Sequence, residues 1–233
     1  MNFTVQHIQF AIFPKNFSIS DKIKLATGLR EKTGDLFDGE PTILPLPIDA
    51  PLEVPRIILQ SKDGLSRCNI SLRRIDVFLG YKKGVVDNIA RAKGITNTIT
   101  DYFITDCGIN IGRIGFVATF LSEFISDANE FIKEKLFNNS KFINQTKIRN
   151  ISAVINNAFS IEKYDLSRII KIDTLRKVGI QNSNAILVMS DANTVIEKFS
   201  EYNLSLLDIN KIIETISLDL VQEKLNDLFE RAV

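Results

Sequence analysis

Proline restricts a backbone more than any other residue, and five of this chain's six prolines fall between Pro41 and Pro55. Each fixes φ, lacks an N–H and pushes the residue before it toward extended geometry. Leu44, Leu46, Ile48, Leu52 and Val54 lie between them. A free linker does not carry so many aliphatics, so the segment from Glu40 reads as a polyproline-like ribbon on apolar surface that delivers the chain to a sheet edge. The alternative is a ligand for an aromatic groove on a partner. Arg56 to Gln60 then reads as a buried strand, Lys62-Asp63-Gly64 as a hairpin turn, and Leu65 to Leu72 as the returning strand.

The rest of the chain alternates short apolar periods. Phe3 to Phe13 predicts a strand with Ile8, Phe10 and Ile12 on one face, ended by Pro14. Ser18 or Ser20 caps a predicted helix through Lys32, with Ile19, Ile23, Ala26 and Leu29 as its stripe and Gly34 closing it. Ile70 and Leu72 keep one register while Ile75, Val77 and Leu79 keep the other, so a bulge or tight turn belongs at Arg73-Arg74. Val85 to Ile99 reads as a helix.

In the second half, Ile109 to Phe124 predicts a long strand with Ile114, Phe116, Ala118 and Phe120 sharing a face. A helix capped by Ser126 runs to Asn138-Asn139. Strands follow at Ile148 to Ile161, Leu166 to Ile180 and Ala185 to Met189. Ser205 and Asp208 make a capping pair for one long helix, whose apolar stripe runs from Ile209 to Phe229. Each half thus reads strand, helix, three strands, helix. The expected fold class is α+β: antiparallel sheet with helices on one face, in two pseudo-repeated halves, 1–105 and 106–233, forming one compact unit.

Composition narrows the functional classes. Hydrophobic residues at 45% and charged residues at 24% give an ordinary globular chain, and a net charge of +1 gives no global footprint for nucleic acid or anionic membrane. Two cysteines, Cys68 and Cys107, are too few for a disulfide scaffold or a zinc knuckle. The N-terminus lacks signal-peptide features, and no apolar run reaches the ~20 residues of a membrane span, which points to the cytoplasm. His7 is the only histidine, so a Ser-His-Asp or Cys-His set has little to draw on. Gly108-Ile-Asn-Ile-Gly112 lacks a third glycine and opens a strand, so it does not read as a phosphate cradle. Asp35, Asp38 and Glu40 fall short of a calcium loop. Asp101, Asp106 and Asp173 read as solvated or ion-paired carboxylates. No cofactor and no metal is expected.

The order of PLPIDAPLEVPRIILQSKDG, RIGFVATF (Arg113 to Phe120) and LNDLFERAV resembles a sporadically distributed bacterial family of unassigned function. In that family a Pro-rich crossing leads to a P-R-apolar, S-x-D-G hairpin. The matching positions are Pro55, Arg56, Asp63, Gly64, Arg113 and Gly115. The resemblance implies structural roles for these residues and brings no catalytic ones. A similarity of overall type, to SecB-like chaperones, implies antiparallel sheet with long helices and assembly through strand edges.

Arg56 and Arg113, each at the start of an apolar strand, need carboxylate or carbonyl partners and read as anchors. The function expected first is a non-enzymatic protein-binding or assembly module, homo-oligomeric, meeting its partner through Ile209, Ile213, Ile216 and Leu220. The second is a chaperone that binds an unfolded client or a toxin partner by strand addition. The third is nucleic-acid binding through a basic patch of Arg73, Arg74, Lys82, Lys83, Arg91 and Lys93, with Phe78 and Tyr81 interleaved.

Overall fold

The computed structural model describes residues 1–47, 49–81, 88–123, 127–137, 148–175 and 184–230. One antiparallel sheet of nine strands organises them. Its members are β1 (Thr4–Pro14), β2 (Thr42–Ile43), β3 (Ile57–Gln60), β4 (Ser66–Ile70), β5 (Ile75–Gly80), β6 (Ile111–Glu123), β7 (Ser152–Ile161), β8 (Tyr164–Leu175) and β9 (Ala185–Thr194). The helices are α1 (Lys22–Thr33), α2 (Asn88–Asp101), α3 (Ala128–Phe137), α4 (Leu206–Leu218) and α5 (Gln222–Asp227). The fold is α+β.

β1 and β6 pair at the centre, with Phe10 opposite Phe116 and Ile12 opposite Ile114. Outward from them the order is β5, β4, β3, β2 on one side and β9, β8, β7 on the other. Because opposed residues of an antiparallel pair share a face, the registers define one continuous apolar surface. Leu59, Cys68, Val77, Phe10, Phe116, Ala192 and Leu166 all belong to it, and all are buried. Ala26 and Leu29 of α1, Ala92 and Ile99 of α2, Ile132 of α3 and the α4 residues join the same core.

The expected phase change after Ile70 is a four-residue turn. Ile70 and Ile75 face each other across it, and the Ser71 N–H donates to the Arg74 carbonyl at 2.9 Å. At the neighbouring hairpin Gly64 takes φ +72, a conformation side chains disfavour, while Asp63 Oδ1 accepts from the Leu65 N–H at 3.0 Å.

Several expectations are corrected. The cap of α1 is Asp21, whose Oδ1 accepts from the Lys24 N–H at 2.9 Å; Ser18 and Ser20 lie too early. Ile23 leaves the α1 stripe and is exposed. β9 runs on to Thr194 instead of stopping at Met189, because it must span both β6 and β8. The single C-terminal helix is two. The chain turns extended at Val221 (φ −77, ψ 156), and the bend keeps Leu220, Leu225 and Phe229 all in the core. The Ser205–Asp208 capping box forms with both hydrogen bonds present. Ser126, Asn138-Asn139 and Val85 lie outside the described residues.

Candidate interaction surface

The sheet ends in two very different edges. On one side the ribbon supplies β2, only two residues long, which pairs with β3 and then runs into Pro45 and Pro47. Short edge strands and prolines are the usual means of blunting an edge against further pairing. Arg56 anchors this end. Its guanidinium donates to the carbonyls of Pro51 (2.9 Å), Val54 (2.5 Å) and Ala50 (3.0 Å), folding the ribbon around itself. The ribbon is less buried than its aliphatics suggest: Leu44, Leu46 and Val54 are half-buried, while Ile43 and Leu52 are exposed. It is held by main-chain bonds, Leu44 N–H to Arg56 O and Leu72 N–H to Leu52 O, more than by apolar contact.

At the other end β7 is ten residues long and reads SAVINNAFSI, without one charge, proline or glycine. It pairs with β8 along its whole length, from Ser152 opposite Asp173 to Ile161 opposite Tyr164. Among the described residues no strand covers its outer edge. Residues Val154 to Ala158 are exposed on both faces, with Val154 at 56% and Ile155 at 43%. The sequence period places Ile151, Ala153, Ile155, Phe159 and Ile161 on one face; they share it, but only Ile151 and Ile161 are buried. Val154 and Ile169 are diagonal neighbours on the opposite face, which Leu175 shares farther along β8, and all three are exposed.

The entry to β7 is fixed by a buried polar set. The Thr174 hydroxyl donates to Asn129 Oδ1 at 2.6 Å and accepts from the Ile151 N–H at 2.9 Å, while Asn129 Nδ2 donates to the Arg149 carbonyl. Behind the strand, Arg168 is buried against Phe159, its guanidinium carbon 4.8 Å from the ring centroid, and pairs with Asp219 at 2.7 Å. Asp219 is the residue at which α4 ends.

The other expected site residues fall elsewhere. Ile209, Ile213, Ile216 and Leu220 are inside the chain's own core, which corrects their expected role as an exposed contact. The apolar residues these helices do expose are Leu207, Leu218 and Val221. Among the described residues, the four basic side chains of that set do not converge. Arg74 pairs with Asp76 at 2.7 Å, Arg73 with Glu53 at 3.4 Å and Lys93 with Glu214 at 3.8 Å, while Arg91 lies over the Tyr81 ring. Arg73 and Arg74 precede Ile75, whereas Arg91 lines the same hollow as Gly80, one strand length or about 17 Å away. Lys82 and Lys83 lie outside the described residues.

A side-chain chain that the sequence did not announce crosses the sheet face opposite the core. Gln9 Nε2 donates to Asp76, which also takes the Arg74 guanidinium. Arg74 and Arg113 lie over the Phe13 ring at 5.2 and 4.5 Å. Arg113 donates to the Thr194 carbonyl at 3.0 Å and to Asn193 Oδ1 at 3.2 Å, and Asn193 donates on to Asp191. Burial and the neighbouring Arg74 charge lower the Arg113 pKa. Gly115 leaves the room Asn193 needs, since a Cβ there would collide with Asn193 Oδ1.

A hollow of about 1160 Å³ lies between α1 and the turn of π-helix at Tyr102–Asp106. Burial pushes the pKa of its Cys107 thiol up, and at its rim Lys32 bridges Asp106 (3.2 Å) and the neighbouring Asp101 (3.0 Å). Asp38 accepts from the Lys62 N–H at 2.7 Å, and among the described residues no group of three metal-capable side chains occurs. Asp173 pairs with Lys171 at 2.9 Å. His7 stacks on Phe78 at 5.9 Å, and burial lowers its pKa. No described helix is long and apolar enough to cross a membrane.

A scan against protein-family models matches none of them to this chain, and a search of curated proteins finds no match either.

Proposed function

We propose that the chain is a non-enzymatic protein-binding and assembly module whose partner adds a strand to the outer edge of β7. The observation that carries this reading is the contrast between the two ends of one sheet. Proline and a two-residue strand blunt one end; the other is a ten-residue uncharged strand whose middle, Val154 to Ala158, is exposed on both faces. An edge left long, uncharged and unprotected is a template for further pairing. Strand addition draws affinity from main-chain bonds and specificity from alternate side chains. The test is a fluorescein-labelled synthetic peptide of residues 152–161 titrated into the protein. Saturable binding that Asn156→Lys weakens supports the reading, and an unbound peptide refutes it.

A second reading, a chaperone-like holder of extended clients, draws on Val154 and Ile169, exposed apolar neighbours beside that edge. It predicts that the protein suppresses aggregation of a reduced, unfolded model protein, and that Val154→Lys abolishes the effect.

A further inference from the structure

Resting on the reading of β7 as a pairing edge, we infer that its occupant is a second copy of this chain, joined antiparallel about a two-fold axis at Asn156.

The direction of each main-chain group in β7 follows from its pairing with β8. The Thr174 N–H donates to the Ile151 carbonyl at 3.0 Å, which makes 151 and 174 a hydrogen-bonded pair. Such pairs alternate in an antiparallel ladder, so Ala153, Ile155, Asn157, Phe159 and Ile161 also direct their N–H and C=O groups at β8. The two-residue turn after Ile161, with Glu162 at φ +54, is closed by the Ile161–Tyr164 pair, as this phase requires. Ser152, Val154, Asn156, Ala158 and Ser160 therefore direct theirs outward.

A second β7 can use all of these groups in one register only. With Asn156 opposite its own copy, Val154 meets Ala158 and Ser152 meets Ser160, giving about ten main-chain hydrogen bonds, the number found in a standard interface. Shifting the axis to Asn157 leaves Ser152 unmatched and drops the number to about eight. Same-numbered parity keeps each face continuous across the junction. On the helix side exposed Ile155 gains the neighbouring strand, and Ala153 meets Phe159. On the other side the two Asn156 amides and the Ser152–Ser160 pairs can bond to each other.

Charge favours the same occupant. Two copies of an uncharged strand meet without repulsion, and the flanking row on β8 carries both signs, with Lys171 paired to Asp173. The partner strand has the required length by identity. A contact this narrow is small beside a standard interface of about 1,600 Å², so the dimer is a weak one, with Kd on the order of micromolar.

The experiment is light scattering of the purified full chain from low to high micromolar concentration, with three variants. Expected are a reversible dimer, a loss of at least about tenfold in dimer affinity for Asn156→Lys, which sets like charges face to face, and no change in fold. In a Cys107→Ser background, Asn156→Cys is expected to form an interchain disulfide on mild oxidation, since paired strands hold opposed Cα atoms about 5.5 Å apart; Asn157→Cys is not. A strict monomer at high micromolar concentration, a dimer indifferent to Asn156→Lys, or cross-linking through Asn157→Cys alone overturns the inference. The labelled 152–161 peptide separates the two levels. A monomer that binds it loses the self-pairing but keeps the open edge, and a monomer that ignores it loses both.

Discussion

Arg56 is the natural place to break the blunted end of the sheet. Its guanidinium is buried, and its recorded partners are three carbonyls of the ribbon, at 2.9, 2.5 and 3.0 Å. Hydrogen bonds to a charged group contribute about 1.5–3 kcal/mol each. Arg56→Met removes all three but also removes a desolvated cation. The Pro51 carbonyl sits in an exposed turn and can return to water. The net loss expected is therefore about 3 kcal/mol. Arg56→Lys keeps the charge without the fork and is expected to recover less than half of that. Urea unfolding measures the total. Amide exchange locates it, since Leu44 and Leu72 N–H groups bond to Arg56 O and Leu52 O and should open first. A loss below about 0.5 kcal/mol, or exchange unchanged at both amides, would refute the claim that this side chain holds the ribbon in place.

Other perturbations have equally direct readouts. Thr174→Val strands the Ile151 N–H in the interior and removes the bond to Asn129 Oδ1, and is expected to cost about 1–3 kcal/mol in urea unfolding, with faster exchange at the start of β7. Gly115→Ala drives a Cβ into Asn193 and should cost about 1–3 kcal/mol; pairing it with Asn193→Ala should recover part of that in a double-mutant cycle. His7 has a pKa lowered by burial, so the unfolded chain takes up its proton first as pH falls. Its contribution is complete above the ordinary value of 6.5 and declines below it until the lowered folded pKa is reached. His7→Gln should flatten the thermal stability profile in that window, and an unchanged profile would contradict the assignment.

Much of the fold was legible because both periods of the chain are clean. The alternation in Thr4–Pro14 and Ile111–Glu123, the Asp63-Gly64 turn and the Ser205–Asp208 box are local signals, and each appears where residue chemistry put it. The break at Val221 was not legible, because an apolar stripe continues through it. What bends the chain is the need to keep Leu220 and Phe229 in one core, a tertiary demand. The same stripe misled the reading of Ile209 to Leu220 as a contact surface: apolar width shows that a helix is buried but not by whom. The Phe13–Arg74–Arg113 stack needed the registers of β1, β5 and β6 before its members could be seen as neighbours. The pairing edge was missed for a related reason. SAVINNAFSI looks like any half-buried strand until the sheet order shows that β7 comes last. The absence of charge across ten residues was the available signal.

Amide hydrogen exchange across β7 at two protein concentrations addresses the pairing edge most directly. At low concentration the N–H groups of Val154, Asn156, Ala158 and Ser160 should exchange freely, while those of Ala153, Ile155, Asn157 and Phe159 stay protected by β8. At high concentration the first set should become protected and the second should not change. Protection of both sets that is equal and independent of concentration would show that the outer edge is not a place where another strand is added.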